Sequence, residues 1–191
     1  MSHLKIYLIL LLMTASLTGY SQEKWTATFR PDLNFLTTDL SNSNTKTGYG
    51  FEVTASYSVV TNLEIYTGWD WNQFKGDEFL AAGNSTFKVS GASFGLRYLH
   101  PISSTLRYNI MAGVILDKMK METSSGDLIA DSNSDLGWQL GTGITYIFGG
   151  NWQLQPEIRY RSFSTEITNT AFSEKITLNY LSFGIGLGVK F

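Results

Sequence analysis

The last eleven residues of the chain, LSFGIGLGVKF, alternate without exception between large apolar side chains and small or polar ones. The apolar series begins at Leu181 and ends at Phe191, and glycine, serine and lysine occupy the positions between. Successive side chains of a β-strand point to opposite faces, so this run predicts a two-faced strand. The class of fold therefore depends on which face meets the interior of the protein and which meets its surroundings.

The same period-2 pattern recurs along the chain and predicts eight strands, whereas helical periodicity is absent. Three connections, VVTN, HPISS and FGGN, are short, and they alternate with four long polar ones. Even spacing puts the long loops at one end and both termini at the other, as in outer-membrane barrels with short periplasmic turns. The prediction is an all-β, eight-stranded antiparallel up-and-down transmembrane barrel with both termini periplasmic. The predicted strands are Trp25–Thr37, Thr47–Val60, Asn62–Lys75, Ser85–His100, Thr105–Met119, Ser134–Phe148, Asn151–Thr165 and Lys175–Phe191.

Side-chain volume indicates which face points outward. A soluble barrel would keep its apolar side chains inside, but an eight-stranded barrel has an interior only just filled by ordinary side chains. The apolar set holds too many aromatic rings for that space, so we expect it to face lipid, with the glycine-rich face inside. The aromatic residues concerned are Trp25, Phe29, Phe35, Tyr49, Phe51, Tyr57, Trp69, Trp71, Phe94, Tyr98, Tyr108, Trp138, Tyr146, Phe148, Trp152, Tyr160, Phe183 and Phe191.

The N-terminus has the features of a secretory signal peptide. Lys5 supplies positive charge, residues 6–13 form an apolar core, and small residues precede Gln22. The apolar run is shorter than the roughly 20 residues that a membrane-spanning helix needs. We therefore expect residues 1–21 to be a cleaved signal peptide and residues 22–191 to form one barrel domain. The chain contains no cysteine, which excludes disulfides and thiolate metal sites.

The C-terminal strand resembles the assembly signal of Gram-negative outer-membrane proteins, and the whole mature chain resembles their small eight-stranded barrels. These are the barrels of the OmpA transmembrane domain and OmpX kind, in the broad porin-like family of the outer membrane protein beta-barrel domain. The resemblance implies a location in the outer membrane of a Gram-negative bacterium. It also implies contact with membrane lipid and lipopolysaccharide, and recognition by the barrel-assembly machinery during biogenesis. The residues of the signal are Tyr180, Phe183, Ile185, Leu187, Val189 and Phe191.

The inward face carries equal numbers of acids and bases. Charges removed from water need partners, so this set can form a network of ion pairs that plugs the lumen, the interior of the barrel. The alternative is a narrow hydrophilic path, in which Arg159 and Arg161 could meet a small anion. The predicted lumen charges are Arg30, Asp32, Glu52, Glu64, Asp70, Arg97, Arg107, Asp117, Glu157, Arg159, Arg161 and Lys190.

Catalysis and metal binding find little support in the sequence. The one histidine after residue 22, His100, precedes Pro101 at a predicted periplasmic turn, far from the outer leaflet where a lipid A enzyme would need its base. Asp127, Asp131 and Asp135 recur in a long loop but lack the compact spacing of a calcium loop, so we expect an acidic mobile loop. We predict no enzyme, no cofactor and no metal. The net charge of −2 does not favour nucleic acid binding.

Three functional hypotheses follow from these observations. The first is a closed barrel with a structural or surface-interaction role, which presents four external loops to an unknown partner. The second is a narrow porin-like channel for ions or small hydrophilic solutes. The third and weakest is a lipid-modifying enzyme of the outer membrane.

Overall fold

Eight antiparallel strands close into a barrel. The computed structural model describes residues 24–37, 47–76, 85–123, 128–169 and 172–191. Each strand pairs with the next, and β8 pairs with β1, so every described strand has two neighbours. Closure removes the open edges that lipid would leave without hydrogen-bond partners. The strands are β1 Trp25–Leu36, β2 Gly48–Val60, β3 Leu63–Gly76, β4 Ser85–Pro101, β5 Leu106–Thr123, β6 Leu128–Phe148, β7 Trp152–Asn169 and β8 Phe172–Lys190.

The predicted fold class is therefore confirmed as an eight-stranded antiparallel all-β barrel. The ends of the described chain lie side by side, because the Trp25 N–H donates to the Phe191 carbonyl at 2.9 Å. Which side of the membrane holds these ends stays a prediction. The expected signal peptide and the polar segments 38–46 and 77–84 lie outside the described residues. Across the described ranges, no helix is long and apolar enough to cross a membrane.

The predicted strand ends are wrong on the long-loop side of the last four strands. The β5–β6 ladder continues through Lys120 opposite Asp131 and Met121 opposite Ala130, where a loop was expected. In this region the outward side chains Lys118 and Lys120 are polar and the apolar Met119 and Met121 point inward, so the outward apolar series ends although backbone pairing continues. The other predicted ends differ by at most one residue. In the structure, β5 ends at Thr123 and not at Met119, and β6 begins at Leu128 and not at Ser134. Likewise, β7 ends at Asn169 and not at Thr165, and β8 begins at Phe172 and not at Lys175.

The short turns use backbone conformations that suit tight hairpins. Asn62 in the β2–β3 turn has φ 71°, and Gly149 and Gly150 in the β6–β7 turn have φ 58° and 85°. Positive φ at such positions matches the twist of the flanking strands. In the β4–β5 turn, the Ser103 hydroxyl accepts a hydrogen bond from the Leu106 N–H at 3.1 Å.

Large apolar side chains cover the outside of the wall, as predicted. The exposed fraction is 56% for Phe94 and 57% for Ile185, and all eighteen aromatic residues predicted to face outward are exposed or half-exposed. Neighbouring rings pair across strands, and the Trp25 and Tyr57 centroids lie 4.9 Å apart near the short turns. The outward direction of the apolar face is confirmed.

An apolar cluster fills the lumen near the long loops, which the sequence analysis did not predict. Phe74 and Tyr180 pack edge to face with centroids 5.3 Å apart, and Leu36 packs against the cluster. The inward face is therefore polar near the middle of the barrel and apolar beneath the long loops. The members are Phe74, Phe87, Val89, Ile115, Met119, Met121, Phe163, Ile176, Leu178 and Tyr180.

Inward glycines give the larger lumen side chains room. A Cβ added at Gly113 would lie 2.3 Å from the Tyr66 hydroxyl, and one added at Gly95 would lie 2.5 Å from it. Both distances are too short for non-bonded atoms, so any larger residue would displace the tyrosine. The two glycines face each other on β4 and β5 and make the pocket that holds this ring.

Candidate functional site

The centre of the lumen is occupied by the carboxylate of Glu52, which is fully buried. Its Oε1 accepts hydrogen bonds from Arg161 Nη2 and the Ser93 hydroxyl, each at 3.1 Å. Its Oε2 pairs with Arg159 Nη1 and lies 3.7 Å from Arg30 Nε. One side chain therefore joins strands β1, β2, β4 and β7 across the barrel interior.

Each of these three arginines also has a second carboxylate of its own. Arg30 Nη2 lies 3.2 Å from Asp32 Oδ2, and Arg161 Nη1 lies 2.7 Å from Asp70 Oδ2. The Arg159 guanidinium donates to Glu157 Oε2 from Nη2 at 2.7 Å and from Nε at 3.1 Å. Such pairing offsets the desolvation of these buried charges, which costs several kcal/mol for an unpaired ion.

The network continues toward the short-turn end through Arg97. Its Nη2 lies 3.3 Å from Glu157 Oε1 and its Nη1 lies 3.8 Å from Glu64 Oε2. The guanidinium carbon also stands 5.7 Å from the centre of the Tyr66 ring, within the range of a cation–π contact. We call the whole set the Glu52 network: Arg30, Asp32, Glu52, Glu64, Asp70, Arg97, Glu157, Arg159 and Arg161.

The remaining three predicted lumen charges lie outside this network. Asp117 is fully buried, but neither of its carboxylate oxygens has a hydrogen-bond partner among the described residues. Its inward neighbours on β5, Ile115 and Met119, belong to the apolar cluster. Arg107 and Lys190 are half-buried near the short turns. Ten of the twelve predicted side chains are thus buried, and their partners are evident only in the three-dimensional arrangement.

Neutral polar groups connect the Glu52 network to the apolar cluster. The Gln139 side chain accepts from Arg161 Nε at 3.0 Å and donates to the Tyr66 hydroxyl at 3.0 Å. Arg161 Nη1 also donates to the Tyr180 hydroxyl at 3.4 Å, and the Tyr180 ring belongs to the apolar cluster. The polar and apolar layers are therefore in direct contact inside the barrel.

The predicted assembly signal divides between the two faces of β8. Phe183, Ile185, Leu187 and Phe191 are exposed on the outside, with exposed fractions between 39% and 57%, and Val189 is half-buried. Their odd numbering places these five on one face of the strand. Tyr180 does not share that face, because it is fully buried and belongs to the apolar cluster inside the lumen.

Two of the three acidic residues considered for calcium lie in a strand and not in a loop. Asp131 and Asp135 lie in β6, so the expectation of an acidic loop is wrong for these two, and Asp127 lies outside the described residues. Asp131 Oδ2 pairs with Lys118 Nζ at 3.3 Å, and Asp135 Oδ2 accepts from the Thr165 hydroxyl at 2.5 Å. The described part of the chain contains no group of three or more acidic or histidine side chains arranged to hold a metal.

Solved structures with the same architecture come from several Gram-negative outer-membrane proteins. The chain is similar to Neisserial surface protein A, with 18% identity, a TM-score of 0.67, and coverage of 87% of this chain and 97% of the other. It is also similar to OprG from Pseudomonas aeruginosa, with 14% identity, a TM-score of 0.60, and coverage of 90% and 98%. The attachment invasion locus protein of Yersinia pestis, solved with a heparin analogue, has 14% identity, a TM-score of 0.58, and coverage of 89% and 100%.

Sequence comparison gives the family directly. No curated protein sequence matches the chain. The family model of the outer membrane protein beta-barrel domain matches residues 7–191, which include every described strand. The chain therefore belongs to the outer membrane protein beta-barrel domain family, the transmembrane porin-like barrels of the Gram-negative outer membrane.

Proposed function

We propose that this protein is a closed outer-membrane barrel with a largely plugged lumen, and that it serves a structural or surface-interaction role through its four external loops. The observation that carries the proposal is the position of Glu52, which pairs with three arginines in the middle of the barrel. An ion or solute would have to separate these buried pairs in order to pass.

The second support for a plugged lumen is the apolar cluster beneath the long loops. Val89 and Ile115 have no exposed surface, and Met119 and Met121 expose 1% of theirs. Tightly packed apolar side chains give a hydrated ion no polar partner. A solute that entered from the long-loop end would meet this layer before it reached the Glu52 network.

Outward charges near the long loops support a role outside the membrane. Lys88 pairs with Glu122 at 2.5 Å, and Lys118 pairs with Asp131 at 3.3 Å, all on extended parts of β4, β5 and β6. Charged side chains on the outward face are costly in lipid, so these strand ends belong in water. The barrel would thus hold its external loops above the bilayer, where they can meet a partner.

The outward apolar face would contact outer-membrane lipid, and its upper rim would contact lipopolysaccharide. The outward alternation from Phe183 to Phe191 would serve as the segment read by the barrel-assembly machinery. We propose no catalytic activity, and what supports this is the surroundings of His100. Its ring is exposed at the end of β4, and the centre of the ring lies 6.4 Å from the centre of the Tyr98 ring.

The decisive test is single-channel conductance of the refolded protein in a planar bilayer, with wild type, Arg159→Ala and the control Lys120→Ala. Lys120 is exposed on the outside near the long loops, so its loss leaves the lumen intact. We expect folded wild-type protein to be silent. Steady conductance that changes with Arg159→Ala but not with Lys120→Ala would replace this proposal with the narrow porin-like channel.

A further inference from the structure

A polar cavity opens at the short-turn end of the lumen, where it borders the Glu52 network at Glu64. Its volume is about 380 Å³, and the β2–β3 turn forms part of its wall. Three basic side chains line it, Lys24, Arg107 and Lys190, together with the single acid Glu64. We call this cavity the basic vestibule.

Among the residues that the structure describes, the side chains of the three vestibule bases lack a partner, whereas its one acid is already engaged. Within the described ranges, no hydrogen bond or ion pair involves the side chains of Lys24, Arg107 or Lys190. Glu64 Oε2 accepts from the Ser56 hydroxyl at 3.0 Å and lies 3.8 Å from Arg97 Nη1. The vestibule therefore carries an excess of positive charge, although the chain as a whole has a net charge of −2.

Backbone hydrogen bonds hold two of the bases in place. The Lys24 carbonyl accepts from the Ser58 N–H at 2.8 Å, and the Lys190 N–H donates to the Asn151 carbonyl at 2.9 Å. Lys190 lies directly opposite Thr26, so Lys24 is its diagonal neighbour across the β1–β8 pair. Diagonal neighbours are about 7–8 Å apart, close enough for two unpaired ammonium groups to repel each other.

An anion bound between the half-buried bases of the vestibule would offset the repulsion between their positive charges. Each of the three bases is partly shielded from water, which strengthens their mutual repulsion. An arginine fork and lysine ammonium groups are the donors that proteins use for phosphate oxygens. The polar lining also includes Ser58 and Asn62.

We propose that the basic vestibule binds a phosphate-type oxyanion at the short-turn mouth of the barrel. The site would hold either a soluble phosphate compound or the phosphate of a phospholipid headgroup. The vestibule lies at the short-turn end of the Glu52 network, so an anion can reach it without passing through the lumen. Binding there also does not depend on the proposed surface role.

The test is calorimetric titration of inorganic phosphate into folded protein in a maltoside detergent, which contains no phosphate, against chloride at equal ionic strength. We expect saturable phosphate binding by wild type, and binding about tenfold weaker in Arg107→Gln and in Lys190→Gln, because each loses a charge-assisted contact. Lys120→Gln removes one positive charge at the far end of the barrel and should bind as wild type does. The shift in gel mobility on boiling confirms that each variant is folded.

A second arm of the experiment distinguishes the two sources of phosphate. Phosphatidylglycerol added to the micelles should compete with inorganic phosphate if a headgroup can occupy the vestibule, and should not compete if only a soluble compound can. Two results would overturn the proposal. One is a folded wild-type protein that binds phosphate no better than chloride, and the other is unchanged binding in Arg107→Gln, Lys190→Gln and Lys24→Gln.

Discussion

Replacement of Glu52 by glutamine should destabilise the barrel far more than the same change on its surface. The substitution keeps the shape of the side chain but removes the charge that Arg30, Arg159 and Arg161 share. Loss of one partner from a buried ion pair costs about 3–5 kcal/mol. Each arginine keeps a second carboxylate at 2.7–3.2 Å, so we expect the free energy of unfolding to fall by about 3 kcal/mol, the lower end of that range.

The free energy of unfolding can be measured by denaturant titration of protein folded in lipid vesicles, followed by gel mobility without boiling. Glu122→Gln is the matched control, since Glu122 pairs with Lys88 near the surface. Exposed pairs contribute about 0–1 kcal/mol, so this variant should remain close to wild type. If Glu52→Gln lost no more stability than Glu122→Gln, the Glu52 network would not stabilise the barrel.

Three further predictions address the wall and its closure. Leu187→Arg places a charge on the lipid face and should lower the free energy of unfolding by about 2–4 kcal/mol, well above the loss caused by Gly188→Ala on the inward face. Equal losses in the denaturant titration would mean that the faces are reversed. Gly113→Ala should lower the free energy of unfolding by about 1–3 kcal/mol, because the added methyl group meets the Tyr66 hydroxyl. Combining it with Tyr66→Phe, which removes that hydroxyl, should restore part of the loss. A double variant with no restored stability would exclude this contact as the cause. Unboiled protein in detergent should migrate differently from boiled protein, and a β-rich monomer that folds in plain buffer would contradict the membrane environment.

The predicted strand ends show where sequence reasoning was sufficient and where it was not. Val60 ends β2 and Phe148 ends β6 as predicted, because lipid requires an apolar outward face up to the boundary of the bilayer. Beyond that boundary water accepts polar residues on either face. The outward side chains there, Lys118 and Lys120, are polar, and the apolar Met119 and Met121 point inward, so the outward apolar series used to predict the strands had ended.

The apolar cluster was missed for a related reason. Phe74 and Phe87 point inward, but the prediction assigned large aromatic residues to the outside on grounds of volume. The volume of the lumen limits how many rings fit inside the barrel but leaves room for a few. Their inward parity was visible in the sequence and could have indicated a mixed interior.

Period-2 alternation, loop lengths and aromatic content together determined the class of fold, because only an outward apolar face suits a barrel surrounded by lipid. The parity of the charged residues also predicted which side chains face inward, and ten of those twelve are buried. Only the tertiary structure decided their partners: Glu52 meets Arg159 and Arg161 across 107 and 109 residues of chain. Such contacts depend on closure of the barrel, which places side chains of distant strands face to face in one narrow interior.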